Sequence, residues 1–156
     1  MITAATPSDA RQIAAIWNIV IRDTVATFTT AEKTPQEIAE AMARQPFFVA
    51  RKGREITGFA TYFQFRGGPG YARTMEHTIH IAAGARGCGT GRALLTHLEI
   101  HARAAGVHSL FAGISGENSD GIAFHTALGY VQAARLPQVG RKFGRWHDLV
   151  LMQKFL

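Results

Sequence analysis

Between residues 85 and 95 the chain reads ARGCGTGRALL, with Gly87, Gly89 and Gly91 set between Arg86 and Arg92 and running into an apolar, helix-like stretch. A loop that follows a strand and opens a helix gathers backbone N–H groups where the helix dipole is positive, which makes it a phosphate site. The spacing excludes two common phosphate loops. Arg92, not glycine, stands three residues after Gly89, and no acidic residue closes a strand ~20 positions on, so this is not a dinucleotide fingerprint. No Gly-Lys-Ser/Thr follows at P-loop distance either. The alternative is a tight turn that only joins strand to helix.

Just upstream, TMEHTIHI alternates with a period of two, which puts Glu76, Thr78 and His80 on one face and Met75, His77, Ile79 and Ile81 on the other. A carboxylate and an imidazole thus share a surface directly before the phosphate loop, a pattern suited to taking a proton from a nucleophile. The bland alternative for Glu76 is a surface ion pair. Cys88 lies near a helix N-terminus, where thiols are more acidic, but no base is evident beside it, so a nucleophilic role is not expected. His97 and His101, one turn apart in HLEIH, have the reach to chelate a metal. The pattern is HxExH and no further ligand is evident, so a solvated helix face and no metal are expected. His77 and His80 point to opposite faces and cannot share an ion.

The elements that must position these residues follow from pattern. Thr6-Pro7 starts a helix whose buried stripe is Ile13, Ile16, Trp17, Val20 and Ile21. A shorter helix runs from Pro35 to about Arg44. PFFVAR from Pro46 and EITGFATYFQF from Glu55 read as strands turned at Lys52-Gly53, and RGGPG (66–70) as a loop. The strand from Thr74, the glycine loop and a helix from about Gly89 to Ala105 come next, the helix buried through Leu94, Leu95, Leu98, Ala102 and Ala105 and ended by Gly106. HSLFAGI is a strand, SDGIAFHTAL a helix stopped by Gly129, and YVQAARL and DLVLMQKFL the closing strands. Strands alternating with helices in mid-chain and adjacent to one another near both ends predict an α/β fold, a mixed sheet with helices on both faces.

The 156 residues suit a single domain, 1–156, with 47% hydrophobic and 18% charged side chains. No apolar run approaches the ~18 residues of a membrane span, and the N-terminus lacks a secretory pattern. The one cysteine fits a reducing cytoplasm. A net charge of +6 favours anionic partners: nucleic acid, acidic small molecules or a phosphorylated cofactor.

Arg86-x-x-Gly89-x-Gly91 resembles the R/QxxGxG/A signature of the GNAT N-acetyltransferases, and NSDGIAFHTALGY (118–130) is similar to that family's later segment. TVATF (24–28), YARTMEHTIHI (71–81) and LPQVGRKFGRWHDLVLMQ (136–153) are similar to its phosphinothricin and methionine sulfoximine acetyltransferase subgroup. The resemblance implies a GNAT fold, with a mostly antiparallel sheet. It implies acetyl-CoA held by the loop from Arg86 through Gly87, Cys88, Gly89, Thr90 and Gly91 to Arg92, with Asn118 on the pantetheine arm. Backbone amides of a splayed or bulged strand around Ile79, His80 and Ile81 would meet the thioester carbonyl. Glu76 would be the base, acting directly or through water. His125 would take the place of the family's tyrosine, giving a proton to the thiolate or hydrogen-bonding the sulfur.

The acceptor implied is a small glutamate-like amino acid, with Thr27 and Phe28 as a wall and Tyr71, Arg73 and Lys142 as its polar contacts; each of these also reads as an ordinary surface or core residue. Ala72 stands where close relatives often have Arg, and Gly121 where they often have Ser. The subgroup further implies a homodimer, while the scattered basic residues, the lack of a nucleic-acid motif and the lack of an apolar span lead us to expect no nucleic-acid or membrane partner. Two other readings stay open: a protein or peptide acceptor, and a basic domain that binds nucleic acid through Trp146 and its flanking arginines.

Overall fold

The computed structural model describes residues 1–156. Its seven strands are β1 (Ile2–Ala4), β2 (Phe47–Lys52), β3 (Glu55–Gln64), β4 (Thr74–Ile81), β5 (Ser109–Ser115), β6 (Val131–Lys142) and β7 (Arg145–Phe155). They form one sheet in the order β1-β2-β3-β4-β5-β7-β6. Only β4 and β5 are parallel, since the chain between them makes a crossover through a helix. The helices are α1 (Ala10–Asp23), α2 (Pro35–Met42), α3 (Thr90–Ala104) and α4 (Ser119–Ala127). The mixed, mostly antiparallel sheet with helices on both faces is the α/β architecture expected.

Local chemistry sets the helix ends. Thr34 accepts the Glu37 amide at 3.2 Å while the Glu37 carboxylate accepts the Thr34 amide at 2.7 Å, and this reciprocal cap starts α2. Near Thr6 the chain first makes a 3-10 turn over Pro7–Asp9, and α1 proper begins at Ala10. Asn118 caps α4, its Oδ1 accepting the Gly121 amide at 2.9 Å.

Two hydrophobic clusters sandwich the sheet. One packs Leu94, Leu95 and Leu98 of α3 onto Phe48, Ala60, Leu110 and Val150; the other packs Ile13 and Ile16 of α1 and Ile38 of α2 onto Phe47, Val49 and Phe59. All three α3 leucines are fully buried, so truncating any one to alanine costs about 2–5 kcal/mol. The alternation in β4 sends Glu76, Thr78 and His80 to the α1 side and His77, Ile79 and Ile81 to the α3 side.

The closing strands are longer than the pattern suggested, because VGRKFGRWHD is the tip of a β6–β7 hairpin turned at Phe143-Gly144, both at positive φ. Two register shifts in β6, between Gln132 and Ala134 and between Leu136 and Gly140, hide the alternation there. The short β1, paired to β2, was not expected from the sequence.

Candidate active site

The sheet opens at its centre. β4 and β5 pair from Thr74–Ser109 to His77–Ala112 and then part, while β4 stays on β3 as far as Ile81 and β5 stays on β7 as far as Ser115. The Ala82 amide bonds to the Thr57 carbonyl at 2.9 Å. Antiparallel alternation then directs the amides of Thr78 and His80 to β3, and those of Ile79 and Ile81 into the gap. The resemblance implied free amides at Ile79, His80 and Ile81; the register turns those of Ile79 and Ile81 toward the gap and gives the backbone of His80 to the ladder. Its ring packs between Trp17 and Phe59, and burial, with Arg86 adding to it, pushes its pKa down to about 4.

A cleft of about 720 Å³ extends from this gap, walled by Thr24, Val25 and Ala26 after α1, by Gly87, Gly89 and Gly91, and by Asn118 and Gly121 at the start of α4. Gly87 and Gly89 have φ of +74° and +80°, angles that side chains resist. Gly91 lies against Phe124, whose ring atoms would be 3.2 Å from any Cβ there. Arg86 and Arg92 line the same cleft, and Arg86 Nε donates to the Ile81 carbonyl at 3.4 Å. A helix N-terminus, two guanidinium groups and a strand edge with free amides thus face one channel, a combination that fits a pyrophosphate joined to a thin amide-bearing arm. Gly121 belongs to this fit, because the Asn118 side chain folds over it and its Nδ2 would lie 2.6 Å from a Cβ.

Cys88 and Thr90 sit apart from the channel. They line a separate cavity of about 640 Å³ with Met1, Ile2 and Arg51. The Cys88 thiol is exposed and has only the Arg86 carbonyl at 3.5 Å beside it. No base adjoins it.

Glu76 lies half-buried where the strands part. A Cβ on Gly113 of β5 would come 2.9 Å from its Oε1, so the carboxylate occupies the space a side chain would have filled. Burial raises its pKa above the ordinary glutamate range, with no cation or hydrogen bond offsetting it.

His125 borders the cleft but is turned inward. Its Nδ1 bonds to the Gly121 carbonyl at 2.7 Å and its Nε2 to Nε2 of His77 at 3.0 Å. With both nitrogens engaged inside the fold, it has no free N–H for a thiolate, which corrects the proton-donor reading. Desolvation lowers its pKa, against the Gly121 carbonyl and Glu99, so the ring is neutral at pH 7.

The acceptor-site expectations divide. Lys142 is 2% exposed, and its ammonium donates to the carbonyls of Ile21, Thr24 and Thr27 at 2.5, 2.6 and 2.8 Å. Its three donors are taken, so it cannot bind a substrate carboxylate; it caps the end of α1. The Thr27 carbonyl is one of its acceptors. Phe28 stacks on His147 at 5.4 Å and covers Gly140. Thr24 to Ala26, rather than Thr27 and Phe28, form the cleft wall. Tyr71 and Arg73 are exposed at the far end of β4, with Arg66 over the Tyr71 ring at 5.7 Å; Arg73 is three residues from Glu76, roughly 10 Å along the strand. His97 is half-buried and His101 exposed, and both rings meet Phe48 edge-on at 5.0 Å, with His101 Nδ1 bonded to Tyr62 at 3.0 Å.

Sequence reasoning also missed Glu117 at the cleft rim, held by Arg145 at 2.8 Å and by Nδ1 of the buried His147, whose hydrogen bonds lower its pKa. Nothing local signals these pairs, because they join positions some thirty residues apart.

The chain is similar to known acetyltransferases in sequence and in fold. The model of the acetyltransferase (GNAT) family matches residues 13–130. An L-methionine sulfoximine/L-methionine sulfone acetyltransferase of Salmonella typhimurium is 36% identical over 96% of this chain and 90% of its own. Among solved structures, a ribosomal-protein-alanine N-acetyltransferase from Brucella melitensis superposes with a TM-score of 0.96 at 35% identity, over 100% of this chain and 99% of the other. A phosphinothricin acetyltransferase from Sinorhizobium meliloti, in complex with acetyl-CoA, superposes with a TM-score of 0.94 at 31% identity, over 100% and 88%.

Proposed function

The chain belongs to the acetyltransferase (GNAT) family and uses acetyl-CoA, and from that premise we propose that it acetylates the α-amine of a small glutamate-like amino acid: phosphinothricin, methionine sulfoximine or methionine sulfone. Transfer is direct, with both substrates bound together. The observation that carries this reading is the lone carboxylate of Glu76 over Gly113, at the point where β4 and β5 part. An incoming ammonium meets a base there whose burial suits it to hold a proton nearer neutral pH than an ordinary glutamate.

The Arg86–Arg92 loop binds the pyrophosphate, Asn118 meets the pantetheine arm, and the free amides of Ile79 and Ile81 polarise the thioester carbonyl. Glu76 takes one proton from the ammonium. The amine nitrogen bonds to the acetyl carbon, the carbon–sulfur bond breaks, and the second proton leaves nitrogen for the sulfur. Cys88, without a base, takes no part.

The names of the Salmonella and Sinorhizobium relatives support the acceptor class. That of the Brucella structure favours a second reading, acetylation of a protein N-terminus. Thiol release from acetyl-CoA with a panel of amino acids and N-terminal peptides separates them. Turnover of methionine sulfone, methionine sulfoximine or phosphinothricin, with glutamate poorer and peptides inert, is expected; efficient peptide turnover with all three analogues ignored would overturn the acceptor class and leave the acetyltransferase standing.

A further inference from the structure

Two imidazoles meet beneath the acyl cleft with no obvious purpose. His77 of β4 and His125 of α4 are both buried, their Nε2 atoms 3.0 Å apart and their rings stacked at 5.2 Å. The hydrogen-bond partners leave only one arrangement of protons. The Gly121 carbonyl facing His125 Nδ1 is an acceptor, so that nitrogen carries the hydrogen. In a neutral ring the Nε2 of His125 is then bare, and the hydrogen in the N···N contact belongs to His77 Nε2. His77 in turn has a bare Nδ1, and that atom is buried without a partner. An orphaned lone pair is the milder defect, since buried N–H groups are hardly ever left unpaired.

We propose that His77 is a positioning residue: by donating Nε2–H to His125 it locks that ring as the neutral Nδ1–H tautomer and keeps the wall of the cofactor cleft uncharged. An imidazolium there would set a second N–H against that of His77 and place an unpaired charge in a buried wall. The surroundings agree. Tyr130 stands edge-on to both rings at 5.5 and 5.2 Å. Glu99 of α3, which favours the charged form of His125, is paired with Lys154 of β7 at 2.6 Å, and Lys154 also lies over the Tyr130 ring at 5.7 Å. Arg86, Arg92, Glu117 and Asp120 are the charged groups that line the cleft His125 borders. Burial, with the neighbouring His125 adding to it, pushes the His77 pKa down to about 3.

The purpose given to the tautomer rests on the amine-acylation reading; the tautomer itself does not. Nitrogen-15 NMR of the whole protein reads it without turnover. In the wild type, His125 should show a protonated Nδ1 and a bare Nε2, unchanged from pH 5.5 to 8.5. His77→Leu removes the donor, so His125 should titrate within that range, and kcat/KM for acetyl-CoA should fall roughly tenfold more between pH 8 and 6 than in the wild type. His77→Gln, which restores an N–H at the same reach, should restore both the spectrum and the profile. A wild-type His125 protonated on Nε2, or one that titrates like a free imidazole, overturns the proposal, as does an unchanged His125 spectrum in His77→Leu. If neither variant folds, the wild-type spectrum alone decides. Absence of any amine turnover with the expected spectrum would count against the acceptor reading only.

Discussion

Burial at the strand opening raises the Glu76 carboxyl, and the sign of the effect on catalysis follows. The base must be ionised to accept a proton, so kcat/KM should fall as pH drops through a value above the ordinary glutamate range, an acid limb displaced toward neutrality. Glu76→Gln should abolish that limb and lower kcat roughly 10²-fold or more, with acetyl-CoA affinity nearly unchanged. A pH–rate profile and a binding titration check both halves. A variant with near-wild-type kcat from pH 6 to 9 would remove Glu76 from the mechanism. The same residue explains a glycine: at Gly113 any side chain would contest the space of the carboxylate.

At the scale of elements, the β6–β7 hairpin acts on the cleft without entering it. Lys142 holds three carbonyls around the end of α1, His147 bonds to the Lys142 carbonyl at 3.0 Å and carries Phe28 on its ring, and the segment so pinned supplies Thr24 to Ala26 to the cleft wall. Lys142→Met keeps the stem and removes the charge, leaving buried carbonyls without their donor. It should cost about 1–3 kcal/mol of stability. Because the wall it steadies borders the cofactor channel, KM for acetyl-CoA should rise along with KM for the acceptor. A rise confined to the acceptor would restore Lys142 to the amino-acid site. Thermal melts and two-substrate kinetics measure these effects.

For the whole molecule, the two neutral histidines of β4 set an acid limit on stability. His77 and His80 have folded pKa values of about 3 and about 4, below the ordinary value of 6.5. The unfolded chain therefore binds more protons than the folded one below pH 6.5, and stability is lost as pH falls from there toward those values. At pH 5 each imidazole accounts for roughly 2 kcal/mol. Denaturant unfolding at pH 7 and pH 5 should show the loss, and His77→Gln should reduce it. The edge strand β6 leaves Val131, Leu136 and Val139 exposed, with Phe143 and Trp146 beside them at the hairpin tip. An apolar edge of this kind is where the homodimer implied by the subgroup resemblance would form. Light scattering should give twice the chain mass, and Val139→Asp should shift it toward the monomer; a wild-type monomer at micromolar concentration would exclude the dimer.

What the sequence determined by itself was the set of local patterns. The glycine loop at the start of α3, the two faces of β4 and the helix stripes each depend on neighbours a few residues away, which spacing and propensity report directly. Even the limit at Gly121, where Asn118 folds over the backbone, lies within one helical turn. Tertiary structure alone decided which side chains were free to do chemistry. Lys142 reads as an available cation until the end of α1, more than a hundred residues earlier, is seen to occupy every donor. His125 reads as a proton donor until His77, forty-eight residues away, is found on its far nitrogen. The strand opening that frees the Ile79 and Ile81 amides depends on β5 following β7 and not β4. These are long-range pairings, set by how the sheet closes on its core, and no local pattern encodes them.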